Sequence, residues 1–368
     1  MLSSLSLCWQ WTRVRRHADF IIRGSYRVSQ FMRLAISLPA QLVSTIRAPF
    51  KGRNLKGKVC VITGGTSGIG LATAKELVKR GCDVVLLVRD KKKAAPVVED
   101  IRSLNDLYLD PPAATVNAIE CDLSSLLSVR MCVSEIKQLL NGRMLDFLAC
   151  TAGVFCNPAS PKGRVNTGHF GVHYSVNFLA SYALIGGLID KLRTSHTKVV
   201  LLTSDLLVLE NDVLPRSETM DLHDPLNPLI TPLLSLWRSL RSYSSSKLAS
   251  FALALELHRR FPELRVYSVH PGALNSHTYG TLPSSGVLSA CWGLLKELLL
   301  VGDDRAAESI LYCLTTDSAD PGFYHNVFGK LPLNRFTVPP CLLSTVWRQN
   351  VWDESSRICE LNESHLPW

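Results

Sequence analysis

No CxxC pair and no Cys/His cluster at zinc-ligand spacing occurs in this chain, although eleven cysteines are strung singly from Cys8 to Cys359. That scatter argues against a disulfide framework and against a metal site; it reads as reduced thiols, most of them small buried apolar residues. Internal repeats and long low-complexity tracts are also missing, and 46% hydrophobic with 19% charged residues leaves no case for global disorder. Once the atypical N-terminal part is set aside, what remains fits one large α/β domain.

Acids are nearly absent from residues 1–53, which hold eight arginines and one lysine against Asp19 alone. Of the formal charge of +9, that segment therefore carries +8, and the body of the chain is close to neutral. A near-neutral body lacks the clustered basic stripe of a nucleic-acid-binding face. The segment interleaves its arginines with Trp9, Trp11, Phe20, Ile21, Ile22 and Phe31, then runs without charge from Leu34 to Ile46. Those thirteen residues include Pro39 and fall short of the ~20 apolar residues that span a bilayer. Three readings stay open for residues 1–54: a basic interfacial anchor on a membrane surface, an Arg-rich mitochondrial presequence, or a poorly ordered tail.

From residue 55 the pattern changes. In KGKVCVITGGTSGIGLATAKELVKRGCDVVLLVRD an apolar run, Val59 to Thr63, enters a glycine-rich turn, continues at helical spacing, and reaches a second apolar run at Val84 to Val88. That is a βαβ unit. Gly64, Gly68 and Gly70 let the backbone turn tightly, approach a pyrophosphate and pack helix on strand, while the helix N-terminus offers free N–H groups to an anion. Further strands are predicted in VNAIECDL, MLDFLACTAGV, KVVLLTS and RVYSVHPG, with helical stretches between them. The expectation is a single Rossmann-type, doubly wound parallel sheet with helices on both faces and ligands at the carboxyl ends of its strands. Gly64, Arg89, Asp122, Gly153 and Ser204 all fall at such ends. Residues 205–242 read as an extended, proline-containing excursion, and Leu274 to about Val301 as an apolar region beside the substrate.

An NAD site would place an acid at the end of the second strand for the ribose 2′-OH. Here Val88 stands there and Arg89 follows. The planar fork of Arg89 suits a 2′-phosphate, which favours NADP(H) over NAD(H); Asp90 is the dissenting residue.

The stretch SYSSSKL places Tyr243 and Lys247 one helical turn apart. Taken with TGGTSGIG, CDL, TAG, VNFLA, LTS and HPG, in that order, the chain resembles the short-chain dehydrogenase/reductase superfamily over roughly residues 55–330. The similarity is greatest to its retinol dehydrogenase-like branch, and in the C-terminal half to polyprenol dehydrogenase-like members. The resemblance implies a catalytic set of Asn177, Ser204, Tyr243 and Lys247. Tyr243 would exchange the proton with the substrate oxygen, Lys247 would lower its pKa from the free value of ~10 and bind the nicotinamide ribose, Ser204 would polarise the substrate, and Asn177 would keep a backbone kink and a relay water. It further implies that Gly64, Thr66, Ser67, Gly68, Ile69, Gly70, Asp122, Gly153, Pro271 and Gly272 line the cofactor. Pairing of two copies through the helices around Asn177 and Tyr243 is common in the fold, which implies a homodimer as one assembly.

Two departures stand against this. The family carries Asn-Asn-Ala-Gly where this chain has Cys150, Thr151, Ala152 and Gly153, and the interval from Ser204 to Tyr243 is long. They keep a second class of function open: a nucleotide-bound scaffold or redox sensor with weakened catalysis. The primary expectation is interconversion of a lipophilic alcohol with its aldehyde or ketone, of retinoid, polyprenoid or steroid type. The enzyme would be membrane-associated, at the cytosolic face of the endoplasmic reticulum or in the mitochondrion. The expected division is an anchor or targeting segment at 1–54, a catalytic domain at 55–335 and a C-terminal extension at 336–368.

Overall fold

A computed structural model of the chain describes residues 54–108, 114–156, 170–204, 206–207, 231–272, 302–317, 319–325, 329–334 and 337–361. The expected anchor, the greater part of the excursion and the apolar stretch at 274–301 lie outside the described residues.

Seven parallel strands and one antiparallel edge strand form a single sheet. In chain order they are β1 (Val59–Thr63), β2 (Asp83–Val88), β3 (Val116–Glu120), β4 (Phe147–Cys150), β5 (Lys198–Leu202), β6 (Arg265–His270), β7 (Gly322–His325) and β8 (Gly329–Leu331). Their spatial order is β3-β2-β1-β4-β5-β6-β7-β8, with only the β7–β8 pair antiparallel. The direction of winding reverses between β1 and β4, where Thr63 pairs with Cys150. Open α/β sheets bind ligands at that switch point.

The apolar runs behave as buried parallel strands do. Successive side chains point to opposite faces, so Val59 and Val61 enter one core while Cys60 and Ile62 enter the other. Leu148 and Cys150 of β4 likewise separate from Phe147 and Ala149. One face carries α1 (Gly68–Val78), α2 (Lys91–Tyr108) and α6 (Asp303–Thr315). The other carries α3 (Leu126–Leu140), α4 (Val172–Thr194) and α5 (Thr231–Arg260). α4 is long and apolar enough to cross a membrane by composition, yet most of it is buried against the sheet, as the core helix of such a fold must be.

One expectation is corrected. Residues 231–242 are not part of the excursion; they form the opening turns of α5, so Tyr243 lies inside a thirty-residue helix. Thr231-Pro232 is a helix-start pair, because proline lacks only a donor that the first turn leaves unused. The interval between β5 and α5 is shorter than the sequence spacing of Ser204 and Tyr243 implies.

After β8 the chain forms α7 (Pro340–Leu343) and α8 (Thr345–Ile358). α8 lies on α4 and α5. Trp352, 3% exposed, meets Tyr182 edge-on at 5.2 Å, and the Arg260 guanidinium stacks over its indole at 4.5 Å. Leu361 fills the space that Gly186 leaves open. The helices expected to pair with a second copy are thus covered by the chain's own C-terminal segment.

Candidate active site

The glycine turn sits at the switch point. Gly64 has φ +69°, and a Cβ there would lie 2.9 Å from the Cα of Ala152, so only glycine lets the ends of β1 and β4 come this close. A Cβ on Gly70 would meet the carbonyl oxygen of Gly64 at 2.3 Å. The first turn of α1 is therefore pressed against the turn that precedes it. Ser67, the residue before α1, makes no side-chain cap. The N–H groups that open the helix are left to other acceptors.

At the β4 end, Thr151 and Thr63 hold each other. The Thr151 hydroxyl donates to the carbonyl of Thr63 at 2.5 Å, and the N–H of Ala152 donates to the hydroxyl of Thr63 at 3.1 Å. A threonine thus ties the two central strands where the family pattern has asparagine. Cys150 is 3% exposed, and burial pushes its thiol up to about 12. Such a thiol is unreactive at neutral pH, which removes the redox-sensor argument at this position. Thr151→Val is isosteric and leaves the Thr63 carbonyl without its hydroxyl donor. It is expected to lower unfolding stability by about 1–3 kcal/mol in urea titration.

Asn177 occupies the centre of a π-helical turn, Ser175–Leu179, within α4, where the N–H of Ala180 reaches the carbonyl of Ser175. The extra residue bends the backbone and aims the Asn177 carboxamide across to the β4 loop. Its Oδ1 accepts from Val154 N–H at 2.7 Å; its Nδ2 donates to the Val154 carbonyl at 3.1 Å and to Ser246 Oγ at 3.0 Å. Ser246 in turn donates to the carbonyl of Tyr243 at 2.6 Å. The Asn177 carbonyl accepts from Ser250 Oγ at 3.1 Å, which leaves it a second lone pair. Three elements are locked by one side chain.

Lys247 is 4% exposed and donates to the carbonyl of Leu202, the last residue of β5, at 3.2 Å. Its ammonium lies 5.7 Å from the centre of the Tyr243 ring, and burial pulls its pKa down to about 8. Gly153 is placed so that a Cβ would come within 3.3 Å of that ammonium. Ser204, 9% exposed, follows β5 by two residues, and its hydroxyl accepts from Leu206 N–H at 3.3 Å. Tyr243 is framed by Phe155, edge-on at 5.5 Å, and by His173, edge-on at 6.1 Å.

On the outer side, Arg89 is exposed immediately past β2, and Asp90 is held by the N–H groups of Lys92 and Lys93 at the start of α2. The Asp122 carboxylate accepts from the N–H and hydroxyl of Ser124, which fixes the turn past β3. Thr66 and Ser67 lead into α1, Gly68 and Ile69 open it, and Pro271 with Gly272 follows β6. The expected residues thus gather along the carboxyl ends of the strands. His173 and Phe155 were missed: a lone histidine on an apolar helix carries no motif, and only the fold brings it to residues 156 and 242. No group of three metal-ligating side chains occurs among the described residues.

Residues 58–210 match the family model for short chain dehydrogenase. A WW domain-containing oxidoreductase of Drosophila melanogaster is 29% identical, over 89% of this chain and 78% of its own length. Human retinol dehydrogenase 12 is 29% identical, over 83% of this chain and 87% of its own. Among solved structures, the alcohol dehydrogenase of Thermococcus sibiricus in complex with 5-hydroxy-NADP superposes with a TM-score of 0.51 at 19% identity, covering 75% of this chain and 99% of that one. A short chain dehydrogenase of Burkholderia cenocepacia in complex with NADP does so with a TM-score of 0.51 at 21% identity, over 74% of this chain and 97% of that one. The matched segment, the relatives and the fold point the same way: this chain is similar to short chain dehydrogenases over residues 58–210, and the relatives it resembles are dehydrogenases and oxidoreductases.

Proposed function

We propose that the chain is an NADP(H)-dependent oxidoreductase that interconverts a lipophilic alcohol and its aldehyde or ketone, of retinoid, polyprenoid or steroid type. The observation that carries this reading is the fully buried Lys247 ammonium beside the Tyr243 ring, with Asn177 bracing both the tyrosine helix and the β4 loop.

A bound nicotinamide dinucleotide supplies or accepts the hydride. The residues present fit it: the uncapped start of α1 and the closely packed Gly64 and Gly70 suit a pyrophosphate, Asp122 the adenine side, and Lys247 the ribose beside Gly153. Ser204 holds the substrate oxygen at the end of β5. Tyr243 gives that oxygen its proton in reduction and removes it in oxidation, and the positive charge of Lys247 favours the tyrosinate needed for the second. Catalysis occupies the domain at 55–335, and the extension at 336–368 braces it through α8.

NADP(H) preference rests on exposed Arg89, with no acid at Val88. Two solved dehydrogenases of the same fold, in complex with 5-hydroxy-NADP and with NADP, support the same direction. Arg89→Asp is expected to raise the KM for NADPH by about tenfold or more, the worth of one or two charge-assisted hydrogen bonds, and to improve use of NADH.

Residues 1–54 in this reading hold the enzyme on a membrane surface, at the cytosolic face of the endoplasmic reticulum, with the mitochondrion as the alternative. Carbonate extraction of a reporter fused to residues 1–54 tests this, and full release would sink it. Self-association, in this reading, uses a surface other than the α4 and α5 face on which α8 lies.

The deciding assay follows oxidation of NADPH and of NADH by the full chain with all-trans-retinal, a polyprenal and a ketosteroid, with Tyr243→Phe as the blank. Turnover of one substrate that the blank loses establishes the reading. Tight cofactor binding without turnover of any of them would favour a nucleotide-bound scaffold instead.

A further inference from the structure

We propose that His173 is a positioning residue for Tyr243, tying the loop after β4 to the tyrosine helix through its two ring nitrogens; this deepens the Tyr243 reading above and rests on it. The N–H of Cys156 donates to His173 Nε2 at 2.9 Å. Since a backbone N–H can only donate, Nε2 is the acceptor and carries no proton, so the neutral ring has its proton on Nδ1. Nδ1 lies 3.1 Å from Ser242 Oγ, and the assigned tautomer makes the histidine the donor there.

Ser242 is the residue before Tyr243, and the Tyr243 ring stands edge-on to the imidazole at 6.1 Å and 87°. His173 is one turn before Asn177 on α4, and it is 4% exposed. The two side chains divide the task. Asn177 holds Val154 and, through Ser246, the carbonyl of Tyr243. His173 holds Cys156 and the other side of Tyr243. Burial, and after it the Lys247 ammonium that faces it, keeps the ring neutral, its pKa pulled down to about 4. Protonation would set a second N–H against that of Cys156, so the clamp requires the neutral form.

Two substitutions take the clamp apart, one bond at a time. His173→Gln keeps an acceptor in the place of Nε2 and loses the donor to Ser242. His173→Asn keeps a donor in the place of Nδ1 and loses the acceptor for Cys156. If His173 positions Tyr243, the Gln variant loses kcat by about ten- to a hundredfold, as small misplacements of a reacting group do, with the Kd for NADPH little changed. The Asn variant shows the converse, a weaker Kd for NADPH from the loosened loop and a preserved kcat. Ser242→Ala reproduces the Gln variant, and the double variant His173→Gln/Ser242→Ala is no worse than either alone.

A packing role would lower kcat and raise the Kd for NADPH together in both variants, or change neither, and either result overturns the inference. So does additive loss in the double variant. Tyr243→Phe run alongside separates the two levels: if that variant retains turnover, the Tyr243 reading falls first. If it is inactive while all three single variants match the unaltered protein, only the role of His173 is lost. Ser242 is itself only partly buried, and Ser242→Ala removes no more than a hydroxyl, so it keeps the test open even if a His173 variant does not fold.

Discussion

Lys247→Met is expected to make the cofactor-free protein more stable while removing about a thousandfold or more of its turnover. The second half follows from the charge that Tyr243 loses, since proton transfer by a positioned group contributes about 10²–10⁴-fold. The first half follows from burial. An ammonium 4% exposed, with its pKa pulled from 10.5 to about 8, costs the folded state about 3 kcal/mol at neutral pH relative to the unfolded chain. Methionine has nearly the same length and no charge to desolvate. Against the gain stands the lost hydrogen bond to the Leu202 carbonyl, worth about 1 kcal/mol, so the net stabilisation is about 2 kcal/mol. The sign with pH is fixed by the direction of the shift. Between about 8 and 10.5 the unfolded chain binds the proton that the folded chain has released, so the stability of the unaltered protein rises with pH across that window. Below about 8 its penalty is constant. The advantage of Lys247→Met is therefore full at pH 7 and shrinks toward pH 10, and urea titrations at pH 7 and 9.5 read it directly. A variant less stable than the parent at pH 7 would mean that Lys247 is not held as a strained cation. Sites that keep such a group trade stability for function.

The same residues mark how far the sequence can be read. Gly64, Gly70, the apolar runs and the order of strands and helices were legible because each rests on a local rule: a turn that needs glycine, a strand buried on both faces, a helix that follows. Lys247 was legible by its spacing from Tyr243. What was not legible depends on one extra residue or on distance along the chain. The π-helical turn at Ser175–Leu179 is a change of hydrogen-bond step that no composition announces. The Thr151–Thr63 clamp reversed the meaning of a departure from the family pattern, because a threonine hydroxyl there finds a carbonyl across the strand pair. His173 meets residues 156 and 242, and neither separation leaves a periodic trace. The start of α5 was missed for a different reason. The prolines and acids before Thr231 made the entire interval read as loop, although Thr231-Pro232 by itself is a helix start.

The C-terminal segment carried no readable motif, yet it anchors on the least exposed acid of the chain's described surface helices, and Glu256→Ala is expected to cost about 3–5 kcal/mol. Glu256 on α5 is 1% exposed. Its Oε2 pairs with Arg259 at 2.7 Å and Arg260 at 3.3 Å, and its Oε1 takes Arg348 of α8 at 2.9 Å. Burial pushes its carboxyl up, but the hydrogen bonds from Arg259 and Arg348 outweigh that and hold it below the usual range. Replacing such a pair by apolar groups is often neutral, whereas removing one partner strands buried charge and costs several kcal/mol. Here three guanidinium groups would be left together, with Arg348 and Arg260 both at the seam where Trp352 packs. Alanine supplies no counter-charge for them, and the charges move apart as α8 lifts from α4 and α5. The melting temperature is expected to fall by about 10 °C, at 2–4 °C per kcal/mol for a domain of this size. Hydrogen exchange should localise the opening to 345–361. Because Glu256 is a depressed acid, its contribution is full above pH ~4.3 and is lost as pH falls through its folded-state pKa, so parent and variant converge in stability at low pH. If Glu256→Ala instead melts with the parent and exchange at 345–361 is unchanged, α8 is held by its apolar packing through Trp352, Cys359 and Leu361 and by Arg130, and the arginine cluster is a consequence of docking and not its cause.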